Sequence, residues 1–101
     1  MPTFVLMTKL TSDLLDAKDR REVGRAWLNR VKSTCPQVKW IGHYALLGRY
    51  DFMDLYEAPD VETAHRISIL SRSEGAIEAE SLQALPYDRF LELLDEVQGG
   101  D

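Results

Sequence analysis

The sequence is poor in the features that mark secreted and membrane-bound proteins. It contains one cysteine, Cys35, so no disulfide can form within the chain, as is typical of a protein in a reducing compartment. No apolar run approaches the ~20 residues that a membrane-spanning helix needs. Residues 1–7 are too few for a signal-peptide core and lack a basic leader. We therefore expect a cytoplasmic protein that makes no membrane contact.

Basic residues are also in the minority, with 12 Lys and Arg against 17 Asp and Glu, which gives a net charge of −5. Nucleic-acid-binding proteins usually carry a basic face, so we expect no nucleic-acid partner. The one basic cluster comprises Lys18, Arg20, Arg21 and Arg25. Acidic residues surround it, which favours a solvent-exposed helix face, with an anion-binding site as the alternative.

Motifs for bound metals and nucleotides are missing as well. No set of His, Cys, Asp and Glu has a known zinc or calcium spacing. The chain has neither a phosphate-binding loop nor a nucleophile elbow. We therefore expect no metal site and no cofactor.

Length and composition predict a single globular domain. The 101 residues, 45% of them hydrophobic and 29% charged, fit one small domain. We expect residues 1–98 to form this domain and residues 99–101 to be a flexible tail. A domain of this size buries a comparatively small share of its surface, and association with further copies is a common remedy.

The hydrophobic pattern predicts the element order β-α-β-β-α-β-α. Strands are expected at residues 3–10, 38–47, 50–58 and 76–85, and helices at about 14–31 and 60–73 and after Pro86. Asp60 is a plausible N-cap for the second helix, and Gly75 a natural end for it. The first six elements have the ferredoxin-like βαββαβ order, so we predict an α+β domain with an extra C-terminal helix.

Large apolar side chains are expected on both faces of the sheet. On the first strand Phe4 and Leu6 alternate with Val5 and Met7. The two main helices cover one face, and the other would expose a larger apolar patch than monomers usually tolerate. We therefore expect a homodimer or a higher homo-oligomer. The alternative is that the terminal helix covers part of this face. Its apolar side carries Phe90, Leu91, Leu94 and Val97.

The predicted hairpin brings two candidate catalytic residues together. If its turn is centred on Gly48-Arg49, His43 lies directly opposite Asp54. The same face is expected to carry Tyr50, Phe52 and Tyr56. A carboxylate beside an imidazole fixes its tautomer and raises its basicity, as a general base requires. The structural alternative is a buried polar pair that merely satisfies its hydrogen bonds, and a one-residue bulge would separate the two residues.

Aromatic residues near the hairpin supply the candidate ligand-binding site. Strict alternation places Trp40 and Tyr44 on one strand face, where they line either a pocket or a dimer interface. Asp51 follows the turn, and its carboxylate has the alternative role of holding turn amides. The predicted ligand-binding residues are Trp40, Tyr44, Tyr50, Asp51 and Tyr56.

The hairpin sequence also resembles a known family. Residues 47–52, Leu-Gly-Arg-Tyr-Asp-Phe, followed by residues 57–60, Glu-Ala-Pro-Asp, resemble the GYD domain family, which is named for its Gly-x-Tyr-Asp element. Residues 2–5 and 80–84 are similar to the family pattern too. The resemblance implies a ferredoxin-like fold, usually dimeric and akin to the dimeric α+β barrels. It implies no reaction, and only Gly48, Tyr50 and Asp51 carry over as motif positions.

Three functions are compatible with these features. The favoured one is a dimeric module that binds a small molecule or a protein partner in a cleft between sheet and helices. The second is a cofactor-independent enzyme, isomerase or oxygenase-like, with His43 and Asp54 as base pair and Tyr50 or Tyr56 as proton donor. The third is a structural domain that oligomerises through its sheet.

Overall fold

The computed structural model describes residues 1–15 and 19–99 and contains one antiparallel sheet. Along the chain the elements are β1 (Thr3–Leu10), α1 (Ser12–Leu15), α2 (Arg20–Thr34), β2 (Lys39–Ala45), β3 (Phe52–Glu57), α3 (Val61–Ser73), β4 (Ala76–Ala84) and α4 (Tyr87–Gln98). The strand order across the sheet is β2-β3-β1-β4. The predicted α+β, ferredoxin-like arrangement with an extra C-terminal helix is therefore confirmed.

Two of the predicted segments extend beyond the described residues. The helix expected at 14–31 includes residues 16–18, and the tail expected at 99–101 includes residues 100 and 101; these five residues lie outside the described part. Within residues 1–15 and 19–99, no helix is both long and apolar enough to cross a membrane.

The core lies between the sheet and the two long helices. On β1, Phe4, Leu6 and Thr8 are buried, while the residues between them are partly exposed. Tyr56 and Asp54 pair with Phe4 and Leu6 across the β1–β3 ladder and are buried on the same face. The period-2 alternation of β1 therefore places one apolar row against the helices.

The helix α3 packs closely against the sheet. Its N-cap is Asp60, whose side chain accepts a hydrogen bond from the Thr63 amide at 2.8 Å. It is followed by Gly75, which has a positive φ of 106°. Both predicted helix signals are confirmed. Its buried side chains are Thr63, Ala64, Ile67, Leu70 and Ser71.

The helix α2 packs mainly at its C-terminal end. Val31 is its only buried residue, and its backbone approaches α3 rather than the strands. Trp27 links the two helices because its indole Nε1–H donates to Ser71 Oγ at 3.0 Å. Ala26 is exposed, and Val23 and Gly24 are only partly buried. The first half of α2 consequently leaves space between itself and the sheet.

The opposite face of the sheet has no helix on it within the described residues. We call it the open face. It carries the partly or fully exposed side chains of Val5, Met7, Tyr44, Met53, Leu55 and Leu82. The helix α4 buries none of its residues, so it does not seal this surface. The domain measures 60 × 30 × 18 Å with a radius of gyration of 15.9 Å, against about 13 Å for a compact chain of this length.

A β-bulge in β2 corrects one prediction. Trp40 pairs with Tyr56 and Gly42 pairs with Leu55, so Ile41 is an extra residue in the strand. Trp40 and Tyr44 therefore lie on opposite faces, and the expectation that they share one is wrong. Trp40 faces the helices, with its ring centre 5.7 Å from that of Trp27. Tyr44 lies on the open face.

We expect the apolar core to provide most of the stability. Leu6 is fully buried and Leu47 is fully exposed in the hairpin loop. Leu6→Ala should lower the free energy of unfolding by about 2–5 kcal/mol because it removes buried methyl groups and leaves a cavity. The matched change Leu47→Ala should cost less than about 0.5 kcal/mol. Urea unfolding checks both, and equal effects would contradict this assignment of the core.

Candidate functional site

His43 and Asp54 form a close polar pair at the helix-facing side of the β2–β3 ladder. The two residues are register partners, and His43 Nδ1 lies 2.5 Å from Asp54 Oδ1. The predicted contact is present because the bulge at Ile41 precedes His43 and leaves its pairing intact. The Asp54 side chain is 4% exposed and the His43 side chain 57% exposed. A buried carboxylate is thus connected to solvent through an imidazole.

Burial changes the protonation of this pair. Desolvation raises the pKa of the Asp54 carboxyl above its usual value, and the neighbouring His43 opposes this rise without cancelling it. With the carboxylate ionised, His43 Nδ1–H donates to it and Nε2 is left as the exposed acceptor. The pair can therefore accept a proton from, or donate one to, a group placed beside the imidazole.

Phe52 and Arg20 surround the pair. The imidazole of His43 stacks on the Phe52 ring, with centroids 5.4 Å apart and planes inclined by 19°. The guanidinium carbon of Arg20 lies 5.1 Å from the centre of the same ring. The Phe52 ring therefore contacts both His43 from β2 and Arg20 from α2.

A cleft opens above this group, between α2 and the sheet. We call it the α2 cleft. Its inner part has a volume of about 50 Å³ and its outer part, which is open to solvent, about 480 Å³. Both parts are bordered by Arg20, Gly24, Trp27, His43 and Asp54. Gly24, near the middle of α2, lies at the cleft, and a Cβ added to it would meet nothing within 4 Å.

The predicted ligand-binding residues do not converge on this cleft. Trp40 borders its outer part. Tyr44 lies on the open face, and Tyr56 is fully buried in the core, with its ring 5.6 Å from that of Phe4. Tyr56 therefore shares a face with His43, as expected, but it does not border the cleft.

The hairpin loop places Tyr50 and Asp51 elsewhere. The strand β2 ends at Ala45 and β3 begins at Phe52, so residues 46–51 form a wider loop than the expected two-residue turn. Tyr50 Oη donates to Glu80 Oε2 at 2.5 Å, so the prediction that Tyr50 accompanies His43 is wrong. The Asp51 Oδ2 atom accepts a hydrogen bond from the Leu10 amide at 2.8 Å, which ties the loop to the end of β1.

Sequence reasoning missed several residues that border the cleft. Arg20 was assigned to a solvent-exposed helix face, and Trp27 was not among the predicted ligand-binding residues, whereas both line the α2 cleft. The available signal was Gly24, a poor helix former placed one turn from each of them. A glycine on the inner side of a helix indicates space or a close approach rather than ordinary packing.

Metal-binding and thiol chemistry find little support in the described residues. Within residues 1–15 and 19–99, no group of three or more His, Cys, Asp and Glu side chains could hold a metal ion. Cys35 is buried, and its burial raises the pKa of the thiol, against the opposing charge of Arg66. A buried thiol with a raised pKa is a poor nucleophile.

The fold and site define a ferredoxin-like α+β domain with one uncovered sheet face and a cleft beneath one helix. The GYD domain model matches residues 4–94, and the chain belongs to the GYD domain family. It is 30% identical over 86 residues to the glutamine synthetase and cystathionine beta-lyase binding protein of Thermus thermophilus; the match covers 85% of this chain and 90% of that protein.

Solved structures support the same fold. TTHA0845 from Thermus thermophilus superposes with a TM-score of 0.58 at 24% identity, over 85% of this chain and 95% of that one. A hypothetical protein, PHS023, from Pyrococcus horikoshii superposes with a TM-score of 0.53 at 18% identity, over 85% and 92% of the two chains. These likenesses establish the fold and not a reaction.

The raised pKa of Asp54 predicts a pH-dependent stability. The folded protein holds this proton more tightly than the unfolded chain, so the free energy of unfolding falls as pH rises from about 4 toward the raised pKa. Asp54→Asn removes this titrating group, so the variant should not lose stability in this way as pH rises. The unfolding free energy of the variant minus that of the parent should therefore increase with pH across this window. Urea unfolding at several pH values measures it.

The control for this experiment is Asp95→Asn, which removes an exposed carboxylate from α4. Its difference from the parent should not follow the same trend. A difference between Asp54→Asn and the parent that stays constant with pH would contradict the assignment of a buried, proton-binding Asp54.

Proposed function

We propose that the protein is a homodimeric binding module whose small-molecule site is the α2 cleft. The observation that carries the proposal is that the described side chains leave this space open. The cleft is bordered by a buried carboxylate, an imidazole and two tryptophans. Small-molecule sites are typically concave and mostly apolar, with a few polar groups that fix the ligand's orientation. The α2 cleft has this composition.

A cofactor-independent enzyme, isomerase or oxygenase-like, is the second candidate, and the His43–Asp54 pair favours it. A histidine whose Nδ1 is held by a carboxylate has an Nε2 suited to general-base chemistry. The proton donors expected with it, Tyr50 and Tyr56, are not among the described residues that border the cleft. Because the expected tyrosines do not border the cleft, we favour ligand binding over turnover.

The Thermus relative adds a protein partner to the proposal. That protein is named for binding two enzymes, glutamine synthetase and cystathionine beta-lyase. The likeness supports a protein partner for this chain as well, and a dimer would present two copies of the partner's site. The buried, unpaired thiol of Cys35 supports a cytoplasmic location.

The second copy is proposed to cover the open face. In the single chain, Tyr44 and Leu82 on this face are 51% and 47% exposed, and Phe90 on α4 is 48% exposed. Burying apolar surface stabilises association by about 25 cal/mol per Å² before the costs of ordering are subtracted. Because α4 follows the edge strand β4 directly, a copy stacked on the open face would lie within reach of its apolar side. Dimerisation without ligand binding would fit the third function, a structural domain that oligomerises through its sheet.

We expect Leu82→Lys to weaken the dimer. A charge placed in an apolar interface must be desolvated in both copies, so the dissociation constant should rise by about 100-fold. Ile69→Lys is the matched control, since Ile69 is 59% exposed on α3, away from the open face. Light scattering across a concentration series measures both. A parent protein that stays monomeric at high concentration would contradict the proposed dimer. Equal effects of Leu82→Lys and Ile69→Lys would contradict it as well.

We expect Gly24→Leu to block the α2 cleft without unfolding the protein. A Cβ at Gly24 would meet nothing within 4 Å, so larger side chains fit the described structure. Gly24→Ala is the control, and it should raise the free energy of unfolding by about 0.5–1 kcal/mol because alanine favours the helix.

Native mass spectrometry of protein purified from its own host measures whether each variant retains a bound small molecule. Parent and Gly24→Ala should carry the same small-molecule mass, and Gly24→Leu should not. Retention of that mass by Gly24→Leu, or a parent that carries none, would count against the cleft as the ligand site.

A further inference from the structure

Two residues of the basic cluster border the α2 cleft. Arg20 lines both of its parts and Arg25 lines the outer part. Arg20 also contacts the Phe52 ring on the inner wall, as described above. Part of the cluster expected to be a solvent-exposed helix face therefore stands at the entrance of a cavity.

These two charges lack acidic partners in the described part of the chain. No ion pair between described residues includes Arg20 or Arg25. The carboxylates that border the cleft are Asp54 and Glu74; the first is engaged by His43 and the second by Arg30. The two guanidinium groups thus place positive charge at the border of the cleft in a chain whose net charge is −5.

The remaining outer wall is apolar. Trp27 and Trp40 meet edge to face with ring centroids 5.7 Å apart, and Leu28 and Ile41 extend the same surface. An apolar wall beside two guanidinium groups that form no ion pair with a described residue matches a molecule with an apolar body and an anionic end.

We propose that the α2 cleft selects a small organic acid, with its apolar body against Trp27 and Trp40 and its carboxylate at Arg20 and Arg25. The proposal rests on the ligand-binding function of this cleft and specifies its ligand class. Guanidinium groups bind carboxylates through charge-assisted hydrogen bonds in a fork geometry that a neutral amide does not reproduce.

Tryptophan fluorescence reports on the cleft directly because both tryptophans of the chain border it. The probes are 4-phenylbutyrate and its neutral counterpart 4-phenylbutyramide, which share the same apolar body. The acid should bind the parent protein about tenfold or more tightly than the amide. Added salt should reduce this preference, because screening weakens the attraction between exposed charges.

The double variant Arg20→Gln/Arg25→Gln tests the two charges. It should lose the preference for the acid, so that the acid and the amide bind this variant with similar affinity. Arg66→Gln is the control, since it removes one exposed arginine from α3 outside the cleft and should keep the preference. Unfolding in urea verifies that each variant is folded, and the salt dependence of the parent provides a test that needs no variant.

The outcomes separate the two levels of the proposal. If acid and amide bind equally, or if the preference survives Arg20→Gln/Arg25→Gln, the organic acid is overturned. The α2 cleft still stands as a ligand site in that case, provided that Gly24→Leu abolishes binding of both compounds. If neither compound changes the tryptophan fluorescence, the organic acid is overturned and the cleft loses its support as a small-molecule site.

Discussion

The structure depends on how two long helices cover a four-stranded sheet that is apolar on both sides. Both lie on one face, and they do so unequally. The helix α3 buries Ala64, Ile67 and Leu70, whereas α2 buries Val31 alone. The surfaces that remain, the α2 cleft and the open face, follow from this shortage of covering structure. The two parts of the proposed function, ligand binding and dimerisation, are assigned to these two surfaces.

The burial of Asp54 is a second constraint, and it explains why His43 lies where it does. An ionised carboxylate in a core is costly unless hydrogen-bonded groups compensate it. The imidazole of His43 supplies that compensation while most of its own surface stays in water. The same geometry fits a structural pair and a proton-transfer pair. No tyrosine is among the described residues that border the cleft.

Local signals made much of the fold predictable from the sequence. Element ends are marked by backbone chemistry that acts within a few residues, as at Asp60, Gly75 and Pro86. The strand alternation of β1 is also regular. The partners of individual side chains were harder to predict. In the wide loop at residues 46–51, Tyr50 donates to Glu80, and Arg20 of the basic cluster borders the α2 cleft. These outcomes depend on contacts between residues that are far apart in the sequence, and a short sequence segment does not reveal such contacts.

The bulge at Ile41 is the clearest example of such an unpredicted feature, because it brings two residues of the cleft to the same face of the sheet. In a regular strand, residues 40 and 43 point to opposite faces. The extra residue between them turns Trp40 toward the helices while His43 keeps its place opposite Asp54. Trp40 then meets Trp27 from α2, which closes the outer wall of the cleft. Without the bulge Trp40 would lie on the open face, and the arginines of α2 would stand above a cleft that lacks one of its two tryptophans.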